Sequence, residues 1–407
     1  MRIKIVLFLL IAASLNFWGL NYFTINPLAS RILEILLIGY LLIDMLIYQR
    51  KYHGEFKYVV ALLIIIPFLS SITCYIYRGQ SIVSTVFVTR GELLWLLYYW
   101  LKNHEVKAQA LIDVCVNMGL FVAFINIFEH ISYPTFAPFG TALDSSHSEI
   151  DVRNGIERFT IQGIYYTFFA FYYYLYKWIG NKKIPMFFLT MFCFVGIYLT
   201  MTRQLMIALL AALIIYPLLF SKIRLRTKLF LIIFFIICGL LILSNITVLY
   251  GDDVIDMTEN QLNNDNYVRW GAFAFYGYEY WEDWFNILLG NGMHQENAGS
   301  PYGDYIVYIY ETFKWIHADI GIVGVFSRYG LLYVFVIIYM YGLLLFNLNR
   351  NYKFVAMVVL ASLVTIAMVI WFRDHFLFSI ILYLSEISIS QSKLISQNDR
   401  HHSIKLQ

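Results

Sequence analysis

Three residues stand where the chain can do chemistry on an anion. Arg203 ends the stretch Tyr198-Leu199-Thr200-Met201-Thr202-Arg203, which joins two apolar runs with almost no linker. A guanidinium offers a planar fork of donors that matches phosphate geometry, and Thr202 adds a hydroxyl. The plain alternative is an arginine that snorkels to anchor a helix end. Arg269 lies in Asn264-Asp265-Asn266-Tyr267-Val268-Arg269-Trp270, which reads as a helix start capped by Asp265 or Asn266. Its alternative is an ion pair with Asp265, four residues back. His317 lies in Trp315-Ile316-His317-Ala318-Asp319, directly before an apolar run. At an outer mouth a neutral imidazole accepts a proton near physiological pH, and Asp319 is expected to raise its basicity. A merely interfacial histidine is the alternative.

Further residues belong with these. Gly290-Asn291-Gly292 reads as a turn where backbone approaches something closely. Arg90, Glu92 and Arg328 fall inside apolar runs, where a charge costs about 2.5–3.5 kcal/mol near mid-helix. Each should therefore face a bundle interior with a partner. Arg90 and Arg328 either line a polar route to a site or pair for structure. His147, His294 and His375 have no comparable setting, and no metal-ligand spacing is present. Cys74, Cys115, Cys193 and Cys238 sit far apart in apolar runs and read as small buried hydrophobes.

The elements that must position these residues follow from composition. Sixty per cent of the 407 residues are hydrophobic and 14% are charged. A soluble domain has about 45–50% and about 25%, so lipid must solvate the surplus. Runs of nearly 20 apolar residues predict about twelve spans, at 4–20, 29–48, 58–77, 82–101, 109–132, 159–178, 185–202, 204–220, 229–248, 320–346, 354–372 and 375–390. The expected fold class is all-α: one integral membrane helix bundle over 1–407, with a smaller external loop at 133–158 and a large one at 249–320. The first run lacks a clean cleavage site and is kept as a mature helix.

With both termini cytoplasmic, nineteen of the 29 basic residues fall on inner segments, among them Lys102, Lys107, Lys182 and Lys183. Eight fall outside. The positive-inside bias therefore sets the orientation and places Arg203, Arg269 and His317 on the outer side. The large loop holds twelve acids against Arg269 and Lys314 and is rich in Trp and Tyr. Such surface suits carbohydrate, whose hydroxyls want acceptors and whose C–H faces stack on rings. An acidic solvated loop anchored by interfacial aromatics is the alternative.

Together these features resemble the O-antigen polymerase and O-antigen ligase superfamily. The likeness rests on about twelve helices, the hairpin Thr200-Met201-Thr202-Arg203, the arginine helix at Arg269, and Gly290 with Gly292. It also rests on His317 before the glycine-rich run Gly321, Gly324 and Gly330. The resemblance implies that Arg203 and Arg269 hold the pyrophosphate of a polyprenyl-linked glycan and that His317 assists the acceptor hydroxyl. Thr202, Gly290, Gly292, Asp319, Arg90 and Arg328 are the expected substrate-binding residues beside them. The resemblance also implies a metal-independent reaction without cofactor, at the outer face of the cytoplasmic (inner) membrane. The partners implied are the diphosphate-linked glycan donor and acceptor, membrane lipids, a flippase and a chain-length regulator, with no nucleic acid. The ligase branch often has His-Asn where this chain has His317-Ala318-Asp319, and Arg328-Tyr329-Gly330 looks more like the polymerase branch. Polymerisation of lipid-linked repeat units is thus favoured over transfer to a lipid A core. A lipid-linked oligosaccharide flippase is the rival from another class. Against it, one large loop breaks repeat symmetry.

Overall fold

The computed structural model describes residues 2–48, 54–133, 135–140, 152–153, 156–157, 159, 161–200, 202–220, 268–295, 300–365 and 374–404. Among these the chain is helical apart from a two-residue antiparallel ladder, β1 (Val152–Arg153) with β2 (Ile156–Glu157), and an isolated bridge between Leu20 and Phe139. The expected span at 229–248, and the end of the one at 354–372, lie outside the described residues.

The described α-helices of more than five residues are α1 (Arg2–Ser14), α2 (Pro27–Ile47), α3 (Lys57–Arg78), α4 (Ile82–Thr89), α5 (Leu97–Asn103), α6 (Ala108–Ser132), α7 (Ile164–Asn181), α8 (Ile184–Tyr198) and α9 (Arg203–Phe220). There follow α10 (Val268–Ala274), α11 (Trp284–Leu289), α12 (Pro301–Phe313), α13 (Ile322–Asn351), α14 (Lys353–Thr365) and α15 (His375–Ile404). Among the described residues, three helical stretches are long and apolar enough to cross a bilayer: Lys57–Arg78, Ala108–Ser132 and Ile322–Leu348.

Several expected spans take a different form. The run 4–20 ends as a helix at Ser14, because Asn16, Phe17 and Trp18 turn to positive φ. Trp18 then packs edge-on against Phe121, with ring centroids 4.5 Å apart. The run 82–101 is broken: α4 gives way to a 3-10 stretch, Arg90–Leu96, before α5. Helix α15 runs to Ile404, well past the expected end at 390.

The chain forms two compact units. The first comprises Met1–Ile64, Gly91–Leu209 and Ile338–Gln407. Helices α6, α7 and α8 make its centre. Gly119 faces Ala170, where an added Cβ would lie 2.7 Å from the alanine's own Cβ, and Gly196 faces Ala123 at 2.8 Å. Small residues let backbones approach closely, which is how apolar helices associate where the hydrophobic effect offers no preference between helix and lipid. Thr167 donates to the Gly119 carbonyl at 3.1 Å, and the Asn126 amide donates to the Gly196 carbonyl at 2.7 Å. Helix α15 is clamped to α5 through Glu386, which accepts from the Tyr98 hydroxyl and pairs with Lys102 at 2.8 Å.

The second unit comprises Ile65–Arg90 and Leu210–Ile337. Its core gathers Cys74, Ala272, Tyr276, Tyr280, Tyr302, Ile306 and Ile309.

Candidate functional site

In the second unit, polar and aromatic side chains gather around His317. His317 opens a 3-10 turn, His317–Ile320, that leads through Gly321 (φ +58) into α13. It is 3% exposed. This differs from the expected histidine at an open outer mouth. Tyr276 covers it, with ring centroids 3.9 Å apart, and Tyr280 and His294 lie at 6.1 and 5.9 Å. Its Nε2 is buried with no hydrogen-bond partner among the described residues.

Burial drives the His317 pKa well below the ordinary histidine value, and the positive charge of Arg328 and the neighbouring His294 push it the same way. The expected role of Asp319 in raising that basicity is therefore not what the site shows. Asp319 is exposed, and His317 is held neutral instead. A neutral imidazole with an unpartnered ring nitrogen can accept a proton or orient a hydroxyl.

The glycine turn is explained by packing. Gly290 adopts φ +83, ψ −179 and Gly330 adopts φ +75, ψ −179, a region essentially closed to other residues. Their backbones lie against each other, so a Cβ on Gly290 would overlap the Arg328 carbonyl and one on Gly330 the Leu288 carbonyl. Asn291 N–H donates to Ser327 at 3.1 Å and Gly292 N–H to Arg328 at 2.8 Å. On the other side, Thr73 donates to the Gly290 carbonyl at 2.5 Å, and Arg78 Nε donates to Asn291 Oδ1 at 2.7 Å. Gly290 and Gly292 thus fasten α3 and α13 around the turn beneath the histidine cluster.

Arg78, at the end of α3, makes several contacts in this unit. It donates to the Tyr280 carbonyl, pairs with Glu282 at 3.3 Å and stacks on the Tyr280 ring at 4.4 Å. Tyr280 donates to the Tyr302 hydroxyl at 2.7 Å, and Tyr302 donates to the Gly292 carbonyl at 3.3 Å. Burial raises the pKa of Tyr276, Tyr280 and Tyr302, so all three remain neutral donors. The histidine is thereby set against a connected polar lattice. Only Gly290, Gly292 and His317 flagged it in the sequence, because tyrosines spread over an aromatic-rich chain carry no spacing signal.

Arg269 is exposed on α10, and α10 packs against the 3-10 turn that carries His317. Gly271 permits that approach: a Cβ there would lie 2.8 Å from the Trp315 ring. Residues 264–267, with the expected cap and the Asp265 partner, lie outside the described residues. Arg328 belongs to the same unit, and its Nε is buried with no partner among the described residues. Arg90 donates to the Phe87 carbonyl at 2.6 Å and lies over the Phe87 ring.

In the first unit, Arg203 begins α9, and Thr202 before it donates to the Thr200 carbonyl at 3.1 Å. Glu92 is buried there opposite His375, with Nε2 to Oε2 at 3.6 Å. The His375 ring stacks on Trp95 at 4.7 Å. This gives a buried partner to a histidine that the sequence showed without context. Among the described residues, no three His, Cys, Asp or Glu side chains gather as a metal site requires.

Compared with protein-family models, with characterised proteins and with solved structures, the chain finds no match in any of the three.

Proposed function

We propose that the chain is a polytopic inner-membrane glycosyltransferase of about twelve spans, with both termini cytoplasmic. It polymerises polyprenyl-diphosphate-linked oligosaccharide units at the outer face. The observation that carries this reading is His317: a buried, neutral histidine with an unpartnered Nε2, set beside the helix that bears Arg269. In the proposed reaction the acceptor hydroxyl attacks the anomeric carbon of the donor sugar. The bond to the diphosphate oxygen breaks, and the hydroxyl proton passes to His317. Arg269, on the helix beside His317, meets the charge that develops on the departing diphosphate, and the family resemblance gives Arg203 the same role.

The surface of the second unit fits such a substrate. Tyr305 and Tyr308 are exposed on α12, near the exposed carboxylates of Asp304 and Glu311. Rings and acceptors of that kind bind sugar faces and hydroxyls. Exposed Trp270 and Trp284 suit the lipid–water boundary.

Deleting the gene tests the class of activity. Loss of long glycan with single repeat units left on the acceptor is the expected result. Full-length chains accumulating on the polyprenyl carrier would identify a ligase instead, and single lipid-linked units trapped on the cytoplasmic leaflet would identify a flippase.

A further inference from the structure

A cavity of about 700 Å³ lies within the first unit, where one end of its helices comes together. The first turns of α1 supply Lys4, Phe8 and Leu9, and the start of α6 supplies Asp113 and Asn117. The last turns of α7 supply Tyr173, Tyr174, Lys177 and Asn181, and the start of α8 supplies Lys183 and Met186. Between α7 and α8 the chain turns within two residues, Lys182 adopting φ +53 as the C-cap. The cavity is therefore at the boundary where apolar helices end.

Its chemistry divides in two. Lys4 is matched to Asp113 at 2.5 Å, and Gln109 also donates to that carboxylate, at 2.6 Å. Lys177 and Lys183 are exposed and leave the rim with a surplus of positive charge. Asn117, Asn181 and the tyrosines add polar edges, whereas Phe8, Leu9, Ile5, Val116 and Met186 line it with hydrocarbon. A rim of ammonium groups over an apolar wall fits an amphiphile with an anionic head, and a basic hollow between helix ends is the usual form of such a site.

We infer that this cavity binds the phosphate headgroup of an anionic membrane phospholipid, with its acyl chain along α1. The inference rests on the bilayer placement of these helices, not on the glycan chemistry proposed above. Native mass spectrometry of the full-length protein tests it, with phosphatidylglycerol and phosphatidylcholine of identical acyl chains as probes. The wild type should retain one phosphatidylglycerol and release phosphatidylcholine. Lys177→Gln with Lys183→Gln should weaken phosphatidylglycerol retention by about thirtyfold, the factor that two such lysines supply near an anionic headgroup. The Lys177→Arg, Lys183→Arg pair should keep it. Equal retention of the two lipids by the wild type would overturn the inference, as would undiminished retention by the glutamine pair. Displacement of the lipid by millimolar inorganic phosphate would assign the cavity to the free anion and overturn it too.

Discussion

A buried neutral histidine should make the protein sensitive to acid in a way that one substitution removes. The folded state holds the His317 pKa well below 6.5, through burial first and then through Arg328 and His294. In the unfolded chain the imidazole titrates near 6.5. Below that pH the unfolded state takes up a proton that the folded state refuses, so stability is complete above about pH 6.5 and falls as pH drops. Each pH unit below it removes about 1.4 kcal/mol, until the folded imidazole itself is protonated. Between pH 7.5 and 5.5 the loss from this residue is thus at most about 1 kcal/mol, or roughly 1–2 °C in the unfolding midpoint of a chain this long. Other groups titrate in the same interval, so the readout is a difference. His317→Gln should unfold with a shallower acid dependence than the wild type by that amount, measured by thermal melts in neutral detergent. Identical acid dependence in the two proteins would refute the buried, neutral histidine.

Other consequences are open to direct measurement. Gly290→Ala and Gly330→Ala should each destabilise by at least about 2 kcal/mol, since both positions are closed to a Cβ by conformation and by space. Gly342→Ala, in the same helix as Gly330 but with open space around it, should be neutral. Glu386→Ala should cost about 3 kcal/mol, because it removes the carboxylate that pairs with the mostly buried Lys102 and accepts from the Tyr98 hydroxyl. In intact cells, a thiol reagent that does not cross the membrane should label Tyr278→Cys and miss Lys182→Cys, since the proposed topology places these exposed positions on opposite faces.

Sequence and structure agree best where one apolar run makes one helix. The expected spans 58–77 and 109–132 match α3 and α6 to within a few residues, because length and continuous hydrophobicity alone decide such helices. Hydropathy does not register a change of hydrogen-bond pattern, so the run 82–101 hid the 3-10 stretch around Arg90, Gly91 and Glu92. The close backbone approach expected at Gly290 and Gly292 was legible, since glycine at such spacing has few other uses. Its partners were not: for Gly290 they are the Arg328 carbonyl and Gly330, reached across nearly forty residues, and for Gly292 they are Cys74 and the Ser70 carbonyl on α3. The burial of His317 was also hidden. It depends on Tyr276 folding over the ring from a π-helical turn, Phe275–Glu279, which no local pattern announces. Adjacency in sequence favoured Asp319 as the partner, whereas packing supplies Tyr276, His294 and the charge of Arg328.

The central claim is most directly tested with purified protein in liposomes supplied with a polyprenyl-diphosphate-linked repeat unit. The wild type should convert it to a ladder of longer lipid-linked chains. Arg203→Lys and Arg269→Lys keep the charge but lose the bidentate fork, and each should slow the ladder by about a hundred- to a thousandfold. His317→Ala should slow it by about a hundredfold or more. Combined with Arg269→Lys, it should cost less than the product of the two, because residues that act as one unit fail together. Lys314→Ala should leave the ladder almost unchanged. A full ladder from well-folded Arg269→Lys or His317→Ala protein would contradict the account, as would a wild-type protein that leaves the repeat unit untouched.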